Sequence, residues 1–261
     1  VFDISGDIVT EDTEAGEDNT IIMDTDTETA STKPVTIAIL DTGYAGDSDR
    51  ILKGINTVDD AQGNTEDDNG HGTRMAEIVT SMTNDNVKIM PIKVANKDGF
   101  ATITSTYAGI LYAIEKDVDI INISMNARVS ESSFLLTDAI KQATDAGIKV
   151  IVSAGNRNMD VAKITPSNIP EAIVVSSVDI NGEFAEYSNY GDTIDYATYG
   201  NYDGVDGTSN AAIRMSAMYA YVMGIDGADA DELIDSAAEN PNDTEWNEYY
   251  GYGIVNPYDV Y

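Results

Sequence analysis

The 261-residue chain contains no cysteine, a single histidine and only 14 lysines and arginines. Without cysteine there is no disulfide, no thiolate nucleophile and no cysteine-ligated zinc, and a lone imidazole excludes a pair of histidines on a metal. The few basic residues face 46 acidic ones, for a formal net charge of -32. Neutralising phosphates needs clustered Lys and Arg, so sequence-independent binding to DNA or RNA is excluded, and anionic membranes are equally poor partners. No uncharged apolar run approaches the roughly 20 residues that span a bilayer, so no membrane insertion is expected. The chain opens at Val1 with no basic region followed by an apolar core, as expected of a processed or trimmed product.

What is present suffices for a substantial core, since 42% of the residues are hydrophobic. Residues 1–34 are the exception. They are rich in Asp, Glu and Thr, and Ile21, Ile22 and Met23 form the only compact apolar group before Pro34. Like charges repel and there is little to bury, so an acidic, extended N-terminal arm or leader remnant is expected there.

At Val35 the texture changes. The run Val35 to Leu40 is β-prone and ends in Asp41-Thr42-Gly43, a turn signal. Similar runs recur at Lys88–Val94, Val118–Ile123, Lys149–Val152 and Ala172–Val175. Between them, His71–Met82, Thr104–Glu115 and Ser133–Ala146 carry apolar residues at helical spacing, and Gly147 is a helix stop. Short buried strands alternating with helices predict an α/β domain over 35–261 with a mainly parallel sheet. Sites in such sheets sit beyond the carboxyl ends of strands, where Asp41 and Ser153-Ala154-Gly155-Asn156 fall.

Three glycine-punctuated segments carry reactive side chains: Asp41-Thr42-Gly43, Asn69-Gly70-His71-Gly72-Thr73 and Gly207-Thr208-Ser209-Asn210. Serine is a weak nucleophile at neutral pH until an imidazole takes its proton, and a carboxylate must hold that imidazole in the right tautomer. His71 is the only imidazole on offer.

In the order Asp, His, Ser these segments resemble the subtilisin-like serine proteases, and the resemblance runs from about Val35 to Tyr261. It implies a three-layer α/β/α sandwich and a serine endopeptidase. By that resemblance Asp41 would orient, His71 would be the general base, Ser209 the nucleophile and Asn156 a donor to the oxyanion. Lys97-Asp98-Gly99 precedes Phe100, Ala101 and Thr102, which stand where the family pairs with its substrate; Ser124, Met125 and Asn126 and Ser153, Ala154 and Gly155 stand at its other substrate-lining segments. Tyr250-Gly251-Tyr252-Gly253 resembles the closing segment. A polypeptide substrate, a propeptide or inhibitor as partner and a secreted or cell-surface location follow from the same resemblance, although the lack of cysteine suits the cytoplasm as well.

Several positions depart from the family pattern. Arg74 stands for a usual second histidine, Asn210 for Met, and Ile213-Arg214 for a Pro-His pair, which raises the alternative of a pseudoprotease that keeps the fold as a binding or regulatory module. Asn126 stands where Gly is usual, either crowding the substrate pocket or adding a donor to it. No cofactor is required by the chemistry. The Met82–Lys88 connection is too short for the calcium-wrapping insertion of secreted relatives, and the acidic loop Asp59–Asn69 is open to two readings, a structural calcium ion or a solvated loop.

Overall fold

The computed structural model describes residues 2–3, 8–9, 32–58, 64–242 and 244–260. The chain begins with β1 (Phe2–Asp3), β2 (Ile8–Val9), β3 (Val35–Asp41), β4 (Ile55–Asn56), α1 (His71–Met82), β5 (Val87–Lys93), β6 (Phe100–Ala101) and α2 (Ile103–Glu115). It continues through β7 (Ile120–Ile123), β8 (Ala127–Arg128), α3 (Phe134–Asp145), β9 (Lys149–Ser153), β10 (Ile164–Thr165), β11 (Ile173–Val178) and β12 (Ile194–Tyr199). It closes with β13 (Asn201–Tyr202), β14 (Val205–Asp206), α4 (Thr208–Met223), α5 (Ala230–Ala237), β15 (Ala238–Glu239), β16 (Gly253–Val255) and α6 (Pro257–Val260).

Nine strands form one sheet in the order β15-β16-β12-β11-β9-β7-β3-β5-β4. Every neighbouring pair is parallel except β15 with β16. Alternation along β3 explains the layers: Ile37 and Ile39 join a buried cluster with Met75, Ile78 and Val79 of α1 and Met215 and Met218 of α4, whereas Ala38 and Leu40 join one with Ile110 of α2 and Leu136 and Ile140 of α3. A strand buried on both faces reads as a continuous apolar run, which is why Val35–Leu40 shows no polar alternation. The architecture is the expected three-layer α/β/α sandwich with a mainly parallel sheet.

The expected strands and helices are present, with ends shifted by a few residues. Gly147 has φ +86° just past α3 and terminates it. The N-terminal arm differs in part from its expectation. Thr10 to Ser31 lie outside the described residues, but Phe2 is fully buried and β1 and β2 each pair with the body of the protein. Among the described residues no helix is long and apolar enough to cross a membrane.

From β3 the chain passes through α1 to β5 on one side, then through α2 to β7 on the other. The carboxyl end of β3 is therefore a topological switch point, where crevices form. At the opposite end of the sheet, near the start of β12, burial pushes the Asp195 carboxyl up to about 7, against the pull of the Val174 amide that it accepts and with a further push from Asp235. The folded protein holds this proton where the unfolded chain has lost it, so stability is expected to fall as pH rises from about 4 to about 7. Urea unfolding across that interval should show the slope in the wild type and a flatter profile in Asp195→Asn.

Candidate active site

Asp41 is the last residue of β3 and His71 the first of α1. The histidine Nδ1 lies 2.7 and 2.8 Å from the two Asp41 carboxylate oxygens, with both side chains buried. A carboxylate only accepts, so Nδ1 carries the hydrogen and Nε2 is the basic nitrogen of the neutral ring. Thr42 completes the joint: its amide donates to Asp41 Oδ1 at 2.7 Å, and its hydroxyl accepts from the Gly72 amide at 2.9 Å while donating to Asp41 at 3.2 Å. Gly72 must be glycine, because a Cβ there would stand 2.3 Å from the Gly43 carbonyl oxygen.

The position of α1 is held from outside by Asp67. One of its oxygens accepts from the Asn69 and Gly70 amides (3.0 and 2.8 Å), and the other from the amide and hydroxyl of Thr73 (2.9 and 2.6 Å). It thus caps the helix that begins at His71. Asp68 pairs with the buried Lys93 ammonium at 2.7 Å, and Lys93 also donates to the Thr42 carbonyl. Of the acidic loop weighed as a calcium site, Asp59 to Gly63 lie outside the described residues, and among those described Asp67 and Asp68 carry these structural bonds.

Ser209 lies in the first turn of α4 and is 3% exposed. Its hydroxyl donates to the Ser124 carbonyl at 3.3 Å, and the Ser124 hydroxyl approaches the Ser209 carbonyl at 3.4 Å. The register Leu40↔Ile123 sets Asp41 and Ser124 side by side at the carboxyl edge, so the anchor of Ser209 is one strand from Asp41. Asn122 reinforces this tie, donating to the Ser124 hydroxyl at 2.9 Å and accepting from Ser216 of α4 at 3.0 Å.

Asn156 follows β9. Its Oδ1 accepts from both the amide and the hydroxyl of Thr208 at 2.8 Å, next to Ser209. The acceptor end is clamped, so Nδ2 is the donor branch of this carboxamide. The Thr208 hydroxyl in turn accepts from the Gly155 amide at 2.9 Å. Gly155 has φ +101°, and a Cβ would stand 2.5 Å from Asn189 Nδ2. Asn189, buried and not singled out by the sequence, donates to the Ala154 carbonyl and accepts from the Arg157 and Met159 amides. It lies in the polar connection between β11 and β12, where nothing in the sequence sets it apart.

The other expected lining residues divide. Asn126 Nδ2 donates to the Ser153 carbonyl at 2.9 Å and lies near the Ser153 and Ser167 hydroxyls, so its donors brace β9. Met125 and Ala154 are fully buried in the same apolar cluster as Ala101 and Phe2. Thr102 caps α2 in a reciprocal box with Ser105, leaving Phe100 and Ala101 as the pairing edge. That edge carries β1, with Phe2 opposite Ala101 and Asp3 opposite Phe100 in antiparallel register.

Burial alone would raise the Asp67 pKa, but the hydrogen bonds from Gly70, Thr73 and Asn69 outweigh it and hold the group at about 2. Its contribution to stability is present above about pH 4 and is lost as pH falls toward 2. Asp67→Ala is expected to destabilise the protein by about 1–2 kcal/mol at neutral pH and to lessen the acid slope, read by urea unfolding from pH 2 to 6.

The sequence profile of the subtilase family, peptidase S8, matches residues 32–253. The intracellular serine protease of Paenibacillus polymyxa is 34% identical over 173 residues, which cover 59% of this chain and 52% of that protein. The cuticle-degrading serine protease of Arthrobotrys oligospora is 27% identical over 173 residues, 62% of this chain and 42% of that one. Among solved structures, a protease from Pseudoalteromonas arctica superposes with a TM-score of 0.77 at 26% identity, covering 89% of this chain and 91% of its own. The chain spans between 40% and 60% of the length of curated relatives such as these. With the profile running from before β3 into β16, the chain belongs to the subtilase family.

Proposed function

We propose that the protein is a serine endopeptidase. The observation that carries this reading is the buried contact of the chain's only imidazole with both oxygens of Asp41, which presents Nε2 as a base. In the proposed cycle the Ser209 hydroxyl turns from Ser124 toward His71, Nε2 takes its proton, and Oγ attacks the peptide carbonyl. Asn156 Nδ2 and the Ser209 amide donate to the oxyanion of the tetrahedral intermediate. Collapse breaks the C–N bond, and His71 passes the proton to the leaving amine. Water, deprotonated by the same imidazole, then hydrolyses the acyl-enzyme and returns the hydroxyl. Every group in this cycle is supplied by the chain or by water.

A fluorophosphonate probe, which traps only an activated serine, is expected to add once to the wild type and not to Ser209→Ala or His71→Ala, read as intact mass. Asn156→Ala should retain labelling but lower kcat by about 100- to 1000-fold, the range known for loss of one such donor in this family. A folded wild type that stays unlabelled even after removal of its leader would favour the binding-module reading.

The same geometry supports an inhibitor built into the chain. In the sheet order β12 and β5 lie on opposite sides of β7, where Ser209 is anchored. The leader pairs on both sides: β1 with β6, which follows β5, and β2 with β14, which follows β12, Val9 opposite Val205 and Ile8 opposite Asp206. We propose that it occupies the edges on which a polypeptide substrate would pair. Burial of the Phe2 ring holds it there, so in the full chain Phe2→Asp is expected to raise kcat/KM on a peptide substrate about tenfold. An unchanged kcat/KM would show that the segment does not compete.

A further inference from the structure

The residue after Ser209 carries an unusual arrangement. Asn210 is fully buried, and its Nδ2 donates to the Gly200 carbonyl at 2.9 Å and to the Val205 carbonyl at 2.8 Å. These two oxygens belong to opposite sides of one β-hairpin, in which Asn201 faces Asp206 and Tyr202 faces Val205. The tip, Asp203-Gly204, has positive φ at both residues (50° and 72°), the turn that suits the twist of a two-residue hairpin. Its base is closed by the Gly207 amide on the same Gly200 carbonyl, 2.9 Å away. A single side-chain amide thus staples both strands of the hairpin to the helix that bears Ser209.

The orientation of that amide is fixed by its surroundings. Turning it over would aim Oδ1 at two carbonyl oxygens, so Nδ2 must face the hairpin. Oδ1 is then left buried with no hydrogen-bond partner. An orphaned acceptor is unfavourable, and an apolar side chain of similar size would avoid it. What an apolar side chain would forfeit is the double tie. Arg214, one turn further along α4, adds a second: Nη1 donates to the Tyr199 carbonyl at 2.8 Å, and the guanidinium lies 5.8 Å from the Tyr202 ring centre.

The outer edge of this hairpin is a peptide-pairing edge, since β14 holds β2 in antiparallel register and leads within three residues to Ser209. β14 follows β12 and β6 follows β5, and in the sheet order β12 and β5 lie on opposite sides of β7, where Ser209 is anchored. Given the peptidase reading, on which this step rests, a peptide pairing with β14 is the part of the substrate beyond the scissile bond. We infer that Asn210 is a positioning residue for the leaving-group side: it touches no substrate, but it locks the edge on which that side pairs to the helix that carries the nucleophile.

The partition of the acyl-enzyme tests this directly. The full-length protein, carrying Phe2→Asp so that the leader does not compete for the edges, is acylated with a short ester that has no residue beyond the scissile bond, and a dipeptide amide is supplied to compete with water for the acyl group. Removing the staple in Asn210→Leu should lower the ratio of aminolysis to hydrolysis about tenfold while hydrolysis stays within about twofold of the Phe2→Asp parent. Asn210→Asp, which turns acceptors toward two carbonyls, should lower it further. An unchanged ratio, or hydrolysis falling in step with aminolysis, would overturn the assignment. Amide hydrogen exchange judges the staple without turnover: residues 201–206 should exchange about tenfold faster in Asn210→Leu with β9 and β11 unaffected, and equal rates would also overturn it. A protein that never turns over the ester even after removal of its leader would sink the peptidase reading alone, leaving the exchange measurement to decide the role of Asn210.

Discussion

Helix α4 is buried on all its faces from Thr208 to Val222, and its enclosure constrains everything around it. It packs against α1 and across β7, β9, β11 and β12. Each polar side chain it carries is therefore out of water and must find a partner in the protein. Ser209 meets Ser124, Asn210 meets the hairpin after β12, Arg214 meets Tyr199 and Ser216 meets Asn122. Bonds made to satisfy a buried helix thereby fix Ser209 against β7 and the loops around it, so on the proposed reading the groups that would stabilise charge are oriented in advance.

The other half of the site is built at the end of β3. Asp41 and His71 are thirty positions apart in sequence, and β3 and α1 are joined by a network in which Thr42 links the carboxylate to the start of the helix while Asp67 caps that helix from the solvent side. In a chain of net charge -32 the carboxylates have few basic partners. Asp67 is instead held ionised by backbone amides and a hydroxyl, whereas Asp195 is pushed the other way by deep burial and then by Asp235, with only the Val174 amide to oppose them. Local donor supply, more than total charge, sets the fate of each acid.

Departures from the family pattern cluster where structure has been rebuilt. Asn210, where Met is usual, staples the hairpin after β12, and Asn126, where glycine is usual, braces Ser153. These positions near Ser209 carry polar bonds, and His71 is in contact with Asp41. The N-terminal arm shows the same economy. Two short strands in an otherwise acidic segment pair with the body through the backbone ladder, and the Phe2 ring is fully buried.

The sequence by itself determined the layers and the order of the chemical groups. Runs such as Val35–Leu40, with Thr36 its only polar residue, and Val150–Val152 are almost wholly apolar, as suits a strand covered on both faces, and intervening helical spacing then points to the sandwich. A single histidine left no choice of imidazole. Only the tertiary structure decided which polar residues are joints and which are surface. Asp67 and Lys93 look like any other charged residues, and Asn189 and Asn210 like ordinary amides, because their roles arise from carbonyls and amides that lie far away along the chain or are brought close only by the turns of the fold. The pairing of Phe2 with Ala101 was illegible for the same reason: two residues give no periodicity, and the edge that receives them is assembled 99 positions later. Side-chain pattern reports what a segment must bury, while backbone partners are chosen by the fold that forms around it.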